Sequence, residues 1–145
     1  MSGPVNLACT DDGIIKIGKN VSFGYNVRIV AQFGEIYIGD DTHIGDGTLI
    51  VAKDNIYIGN NVLIAEYVVI RDQDHNIDSD PINSSGFKTA PIHIENNVWL
   101  AAKSTVLRGV HVGEGAVVAA HALVNKSVLS RSIVAGVPAK QVAMR

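Results

Sequence analysis

Between Ile94 and Val128 the apolar positions recur every six residues. Ile94, Leu100, Val106, Val112, Val118 and Val124 form the track without a miss. Ile, Leu and Val fill 43 of the 145 positions, so such a run arises by chance about once in a thousand draws. A weaker track lies four residues on, at Val98, Ser104, Val110, Ala116, Ala122 and Val128. A period of six matches neither an α-helical turn nor a heptad, so a helix would smear the pattern around its circumference. Six is a multiple of two, so in an extended chain every track residue points to one face. A single straight strand of this length is excluded, because strands run roughly 3–10 residues. The pattern therefore predicts a corner about every six residues, three sides to a turn, and turns stacked into a parallel β-helix.

The rest of the chain follows the same rule. A turn-opening phrase recurs as IKIGKN at 15–20, IYIGDD at 36–41, IYIGNN at 56–61, IHIENN at 92–97 and VHVGEG at 110–115. The intervals are 21, 20, 36 and 18 residues. Eighteen is a bare turn of three hexads, so 21 and 20 predict corners lengthened around Gln32–Gly34 and Lys53–Asn55. Glycine after the aliphatic, as at Gly18, Gly39 and Gly59, predicts a tight corner with close backbone approach. Handedness does not follow from these patterns, since the general rule for parallel crossovers is right-handed. The predicted organisation is an irregular lead-in over 1–14, a β-helix domain over 15–137 and a short tail over 138–145.

The interval of 36 marks an insertion. The hexads hold to Ile70 and resume at Ile92, and the residues between are polar, with Pro81, Gly86 and Pro91. This long loop, 71–91, lacks apolar alternation and is predicted to leave the prism. A loop of that length inside a compact domain usually carries function, and the repeat supplies the rigid wall it stands on.

Composition narrows the classes. A hydrophobic content of 47% is ample for a core in one domain. A net charge of −2 argues against nucleic-acid binding. Cys9 stands alone, which excludes a disulfide framework and a CxxC knuckle. The opening residues lack the basic start and apolar centre of a signal peptide, and no apolar run reaches membrane-spanning length. A cytoplasmic protein with no membrane insertion is expected. Leu49, Val51, Leu63, Val69, Val117 and Leu123 occupy outward slots, more apolar surface than a monomer leaves wet. A homotrimer would cover one face of each prism.

His75 lies near the start of the loop, among Asp72, Asp74 and Asp78. A histidine beside carboxylates is a candidate general base near neutral pH, held in one tautomer by an acceptor. The plainer alternative is a surface loop histidine. Trp99 precedes the inward Leu100, so alternation points it outward, toward a pocket or an interface or as a ring packed on the surface.

Three phrases in combination carry a family resemblance: DHNI at 74–77, PIHIENNVWLAAKSTVLRGVHVGEGAVVAAHALV at 91–124, and IVAGVPAK at 133–140. With them the chain resembles the hexapeptide-repeat acetyltransferases with a left-handed parallel β-helix, and within these the maltose, galactoside and polysaccharide O-acetyltransferases. The resemblance implies homotrimers, acetyl-CoA as donor and active sites between neighbouring subunits. It implies that His75 is the catalytic base, and it places Asp46, Asp74 and Trp99 at the acceptor, a carbohydrate or other small molecule. It further implies that Ala101, Ala102 and Ala119 line the pantetheine channel and that Lys126 and Lys140 meet the phosphates and ribose of CoA. The chain departs from the family pattern at Glu95, Ala101 and Ala119, where glycine is usual. It also lacks the N-terminal helical segment of the sugar acetyltransferases, which weakens transfer of the acceptor.

Two other classes share this fold. A metal-dependent hydratase resembling the γ-class carbonic anhydrases draws on His75, His93 and His111, spaced 18 and 18 apart. The loop breaks the first interval, so only His93 and His111 are predicted to stack, one turn apart in outward slots. The close histidine pair of that class is absent, and no metal site is assigned. A non-catalytic scaffold is the other alternative.

Overall fold

The computed structural model describes residues 4–145. Its strands lie on three faces around one aliphatic core. The first face stacks Val5–Thr10, Val27–Gln32, Leu49–Ala52, Val69–Arg71, Thr105–Val106 and Leu123–Val124. The second stacks Ile14–Ile17, Glu35–Ile38, Asn55–Ile58, Ile92–Ile94 and His111–Val112. The third stacks Ser22–Phe23, His43–Ile44, Leu63–Ile64, Trp99–Leu100, Val117–Val118, Ser132–Ala135 and Lys140–Met144. All neighbours within a face run parallel except the last pair. The chain visits the faces in rotation and completes about six turns of a left-handed parallel β-helix.

The hexad reading accounts for the core. Ile94, Leu100, Val106, Val112, Val118 and Val124 are each 1% exposed or less. The second track is buried as well, and its one polar member, Ser104, donates its hydroxyl to the Ala101 carbonyl at 2.8 Å. Thr48, two turns earlier in the same column, and Thr42, one hexad before it, do the same toward the Ala65 and Gly59 carbonyls at 3.0 Å. Each hydroxyl thus satisfies itself at a corner without interrupting the aliphatic stack.

Corners divide two jobs between neighbouring residues. Asn20, Asn26, Asp41, Asn61 and Asn97 take the left-handed backbone conformation, with φ from 54° to 58°. Asn and Asp tolerate that region better than other side chains do. Gly39 instead answers to space, since a Cβ there would lie 2.4 Å from the Asn60 carboxamide oxygen of the next turn. Along this corner the turns are tied by a side-chain ladder: the amides of Lys19, Asp40 and Asn60 donate to Asp40, Asn60 and Asn96, each at 2.8 Å. The lengthened corners fall where the intervals of 21 and 20 place them, between Gln32 and Glu35 and between Ala52 and Asn55.

Both termini correct the sequence reading. The lead-in, expected to be irregular, contains the strand Val5–Thr10, in register with Val27–Gln32; residues 1–3 lie outside the described residues. Among the described residues this strand has a neighbour on one side only, and Leu7 remains 49% exposed. Val5 packs against the core above Val27, but the end turn leaves Leu7 and Cys9 exposed, so no hexad announces the strand. The tail 138–145 turns back at Gly136 and pairs antiparallel with Ser132–Ala135 as the strand Lys140–Met144. It covers an edge that would otherwise offer unpaired backbone groups.

Candidate functional site

The loop 71–91 leaves the corner between the first and second faces, and its stem is a two-stranded antiparallel hairpin. Gln73 faces Thr89, Asp74 faces Lys88 and His75 faces Phe87. Asp72 anchors the base. It is fully buried, and its two carboxylate oxygens accept the amides of Lys53 and Asp54, each at 2.8 Å. Its carbonyl accepts the Ala90 amide at 3.0 Å, which closes the stem. Burial raises the Asp72 carboxyl above its ordinary value, and the two amide bonds oppose that rise without cancelling it.

His75 is exposed at the hairpin edge, with its ring 4.7 Å from that of Phe87. The Lys53 ammonium lies over the same Phe87 ring, 4.1 Å from its centre. The carboxylates expected to orient His75 are engaged elsewhere. Asp74 accepts from Arg108 Nε at 2.7 Å, Asp78 pairs with Lys88 at 2.7 Å, and Asp72 is consumed by the backbone. Among the described residues no hydrogen bond reaches the ring nitrogens of His75. The hairpin register and Phe87 hold the ring, and the tautomer is left to whatever approaches it.

The other candidate residues gather on a different corner, between the third and first faces. Asp46 and Trp99 share a groove of about 600 Å³ with His43, Leu63, Glu66 and Tyr67. Trp99 is 46% exposed, between Leu63 and Val117 of the adjacent turns. Asp46 also has a structural task, since Oδ1 accepts the Tyr25 amide of the preceding turn at 2.7 Å. Ala101, Ala102 and Ala119 continue the same column: the Ala101 amide donates to Val118 at 2.9 Å and the His121 amide to Ala102 at 3.0 Å. None of Glu95, Ala101 and Ala119 has a positive φ, so replacing glycine there strains no backbone. Lys140 pairs with Ala135 just beyond Ala119. Lys126, by contrast, follows Leu123–Val124 and lies on the hairpin corner.

A third cluster lies on the second face. His93 and His111 are register partners with ring centres 5.0 Å apart, stacked as their spacing predicts. Glu95 joins them, with Oε1 2.8 Å from His111 Nε2 and Oε2 accepting the Glu114 amide at 3.0 Å. Burial, then the neighbouring His111, lowers the affinity of His93 for a proton, and the hydrogen bond from His111 lowers that of Glu95. Sequence reasoning noted Glu95 only as a departure from glycine. Its signal was its place, in the corner slot that holds glycine at 18, 39, 59 and 113.

Comparison with known proteins gives this geometry a context. Residues 91–126 match the family model described as bacterial transferase hexapeptide (six repeats). A putative lipopolysaccharide biosynthesis O-acetyl transferase of Escherichia coli, WbbJ, is 34% identical over 140 residues, covering 90% of this chain and 71% of the relative. A probable acetyltransferase of Mycobacterium tuberculosis is 35% identical over 133 residues, covering 90% of this chain and 44% of its own. The hexapeptide-repeat acetyltransferase VCA0836 of Vibrio cholerae, solved with acetyl coenzyme A, superposes with a TM-score of 0.72 at 25% identity, over 100% of this chain and 70% of that one. The chain spans about half the length of several relatives it matches. With the hexad core, the single hairpin excursion and these likenesses together, the chain belongs to the hexapeptide-repeat acetyltransferase family.

Proposed function

We propose that the protein is an acetyl-CoA-dependent O-acetyltransferase that acts on a hydroxyl of a sugar or polysaccharide precursor. The observation that carries this reading is the hairpin: one excursion from an otherwise periodic wall, anchored by a buried Asp72, presents an exposed His75. His75 accepts the proton of the acceptor hydroxyl through a neutral ring nitrogen. The acceptor oxygen attacks the thioester carbonyl, a C–O bond forms, and the oxyanion is stabilised by hydrogen-bond donors. Collapse breaks the C–S bond, and the imidazolium returns its proton to the departing thiolate. A covalent acyl-cysteine route has no support, because Cys9 lies on the first strand, turns away from the hairpin.

The site in this reading lies between chains of a homotrimer. His75 with Lys126 and the alanine column with Trp99, Asp46 and Lys140 occupy separate corners of one prism. Side-by-side packing of three prisms brings the hairpin corner of one chain to the alanine corner of the next. The half-exposed Leu63 and Trp99 on the third face supply apolar area for that contact. Pantetheine then runs along Ala101, Ala102 and Ala119, and Lys126 and Lys140 meet the CoA phosphates.

Replacement of His75 by alanine tests the chemistry. Acetyl transfer, followed as thiol release across a panel of sugars, nucleotide sugars and oligosaccharides, should fall roughly a hundred- to ten-thousand-fold. Thermal unfolding and acetyl-CoA binding should change little, since His75 contributes nothing to the core. Turnover within a few-fold of wild type would remove His75 as the base.

A further inference from the structure

The second face carries a column of rings that the acetyl-transfer reading does not use. Tyr37, Tyr57, His93 and His111 stack through successive turns, with ring centres 5.1, 4.4 and 5.0 Å apart. Beside its last two rings lies the one corner of this face where a carboxylate, Glu95, stands in the glycine slot. At the neighbouring corners no side chain is admissible: a Cβ at Gly59 would lie 2.5 Å from Asn96 Oδ1, and one at Gly113 2.5 Å from the Ser130 amide. At Glu95 the side chain leaves the corner outward and reaches His111, and the Glu114 amide on Oε2 steers Oε1 toward the ring. One donor atom each from His93, Glu95 and His111 lies within 4.8 Å of the other two.

The geometry points to a divalent transition-metal site formed by His93, Glu95 and His111. Donors about 2.0–2.1 Å from a tetrahedral ion lie roughly 3.3 Å from one another. The Glu95–His111 separation of 2.8 Å and the 4.8 Å limit on the set bracket that value, so the difference is within reach of side-chain rotation at two exposed histidines and a half-buried Glu95. Two imidazoles and one carboxylate select zinc and its neighbours, not calcium or magnesium, which take oxygen ligands. Strand register fixes where both histidines leave the sheet, and Tyr57 stacks on His93 from the turn below. Three protein ligands leave a coordination position open to water or a further ligand. Both histidines line a groove of about 450 Å³ with Tyr57, Pro91 and Gly109, and His111 with Glu95 lines a second of about 230 Å³. An ion on these three ligands ties the turn on which the chain re-enters the prism, at Pro91, to the turn above it.

Metal-stripped full-length protein titrated with Zn²⁺, and separately with Co²⁺ as a spectroscopic probe, tests the site without reference to acetyl transfer. The expected result is one ion per chain, Co²⁺ bands of a nitrogen–oxygen site, and a higher unfolding midpoint with Zn²⁺. Glu95→Gln, which changes a single atom, should weaken binding at least about tenfold while leaving the metal-free midpoint within a degree or so of wild type. His93→Ala and His111→Ala should abolish the Co²⁺ bands. Absence of saturable binding at free Zn²⁺ on the order of 100 μM would overturn the proposal. So would binding that persists in the His93→Ala/His111→Ala double variant, which would place the ion elsewhere on the chain.

Discussion

The corner between the third and first faces repeats in every turn, whereas the corner between the first and second repeats in hardly any. The former runs through Gly24, Gly45, Ala65, Ala101 and Ala119, always a small residue donating its amide to the turn above. The latter is a bend at 33–34, another at 53–54, the excursion at 71–91, and tighter turns near 109 and 126. A periodic corner is constrained from above and below by identical neighbours, so it can offer a smooth channel but little individual chemistry. An aperiodic corner is free of that constraint and can hold a hairpin with its own anchor. In the proposed enzyme the two supply different halves of one site, a binding wall and a base.

The largest effect separates the corners between chains. Variants His75→Ala and Ala101→Trp should each be inactive, the first for lack of a base, the second for a blocked channel. Co-expressed in equal amounts, they should regain activity in about a quarter of interfaces, those pairing an intact hairpin with an intact wall. No recovery in mixed trimers would mean that both halves come from one chain, and a protein that sediments as a monomer would remove the shared site altogether.

The same substitution separates a tight bend of the aperiodic corner from the hairpin that this corner carries. A Cβ at Gly34, in the wound part of the chain, would lie 1.3 Å from the Asp54 carbonyl oxygen. Gly34→Ala should therefore cost roughly 3–5 kcal/mol in chemical unfolding. Gly86, in the hairpin, has φ of +80° and open space around it. Gly86→Ala should cost only about 1–2 kcal/mol, the strain of the left-handed backbone. Equal losses would show that the hairpin is as tightly built as that bend.

Asp72 joins the regions, and its titration reports on the joint. Asn at this position supplies one acceptor oxygen for two amides, so Asp72→Asn should cost about 1–3 kcal/mol. The wild-type carboxyl is raised in the fold, so the folded chain binds its proton more readily than the unfolded one. Its contribution is accordingly greatest in acid and declines as pH rises from the unfolded value of 3.8 through the raised folded value. Urea unfolding over that range should show this decline in wild type and lose it in Asp72→Asn. An identical slope in both would assign the pH dependence to other carboxylates.

The smallest effects belong to the two lysines. Lys126→Ala and Lys140→Ala should each raise KM for acetyl-CoA by a few-fold, with kcat nearly unchanged. Added salt should shrink the difference, because exposed charges are screened. Unchanged KM in both variants would move the CoA phosphates to another surface.

The periodic part of this protein was legible without a structure because one physical demand repeats. Every sixth side chain must fill the same narrow core, so Ile94 through Val124 spell out the winding, and the interval of 36 exposes the excursion at His75. Where that demand lapses, the sequence is silent. Lys140–Met144 is held by backbone pairing and buries no side chain, and Val5–Thr10 closes the end of the prism with only Val5 packed on the core, so neither leaves a hexad to read. The hairpin stem is likewise set by Asp72 beneath it and by register, neither of which alternation encodes. Proximity across turns was the part least visible. His93 and His111 follow from the spacing of one turn, but the arrival of Glu95 between them depends on which side chain a corner can release outward, and the engagement of Asp74 by Arg108 on partners 34 residues apart. Spacing determines which residues share a face; only the packed turns decide which of them touch.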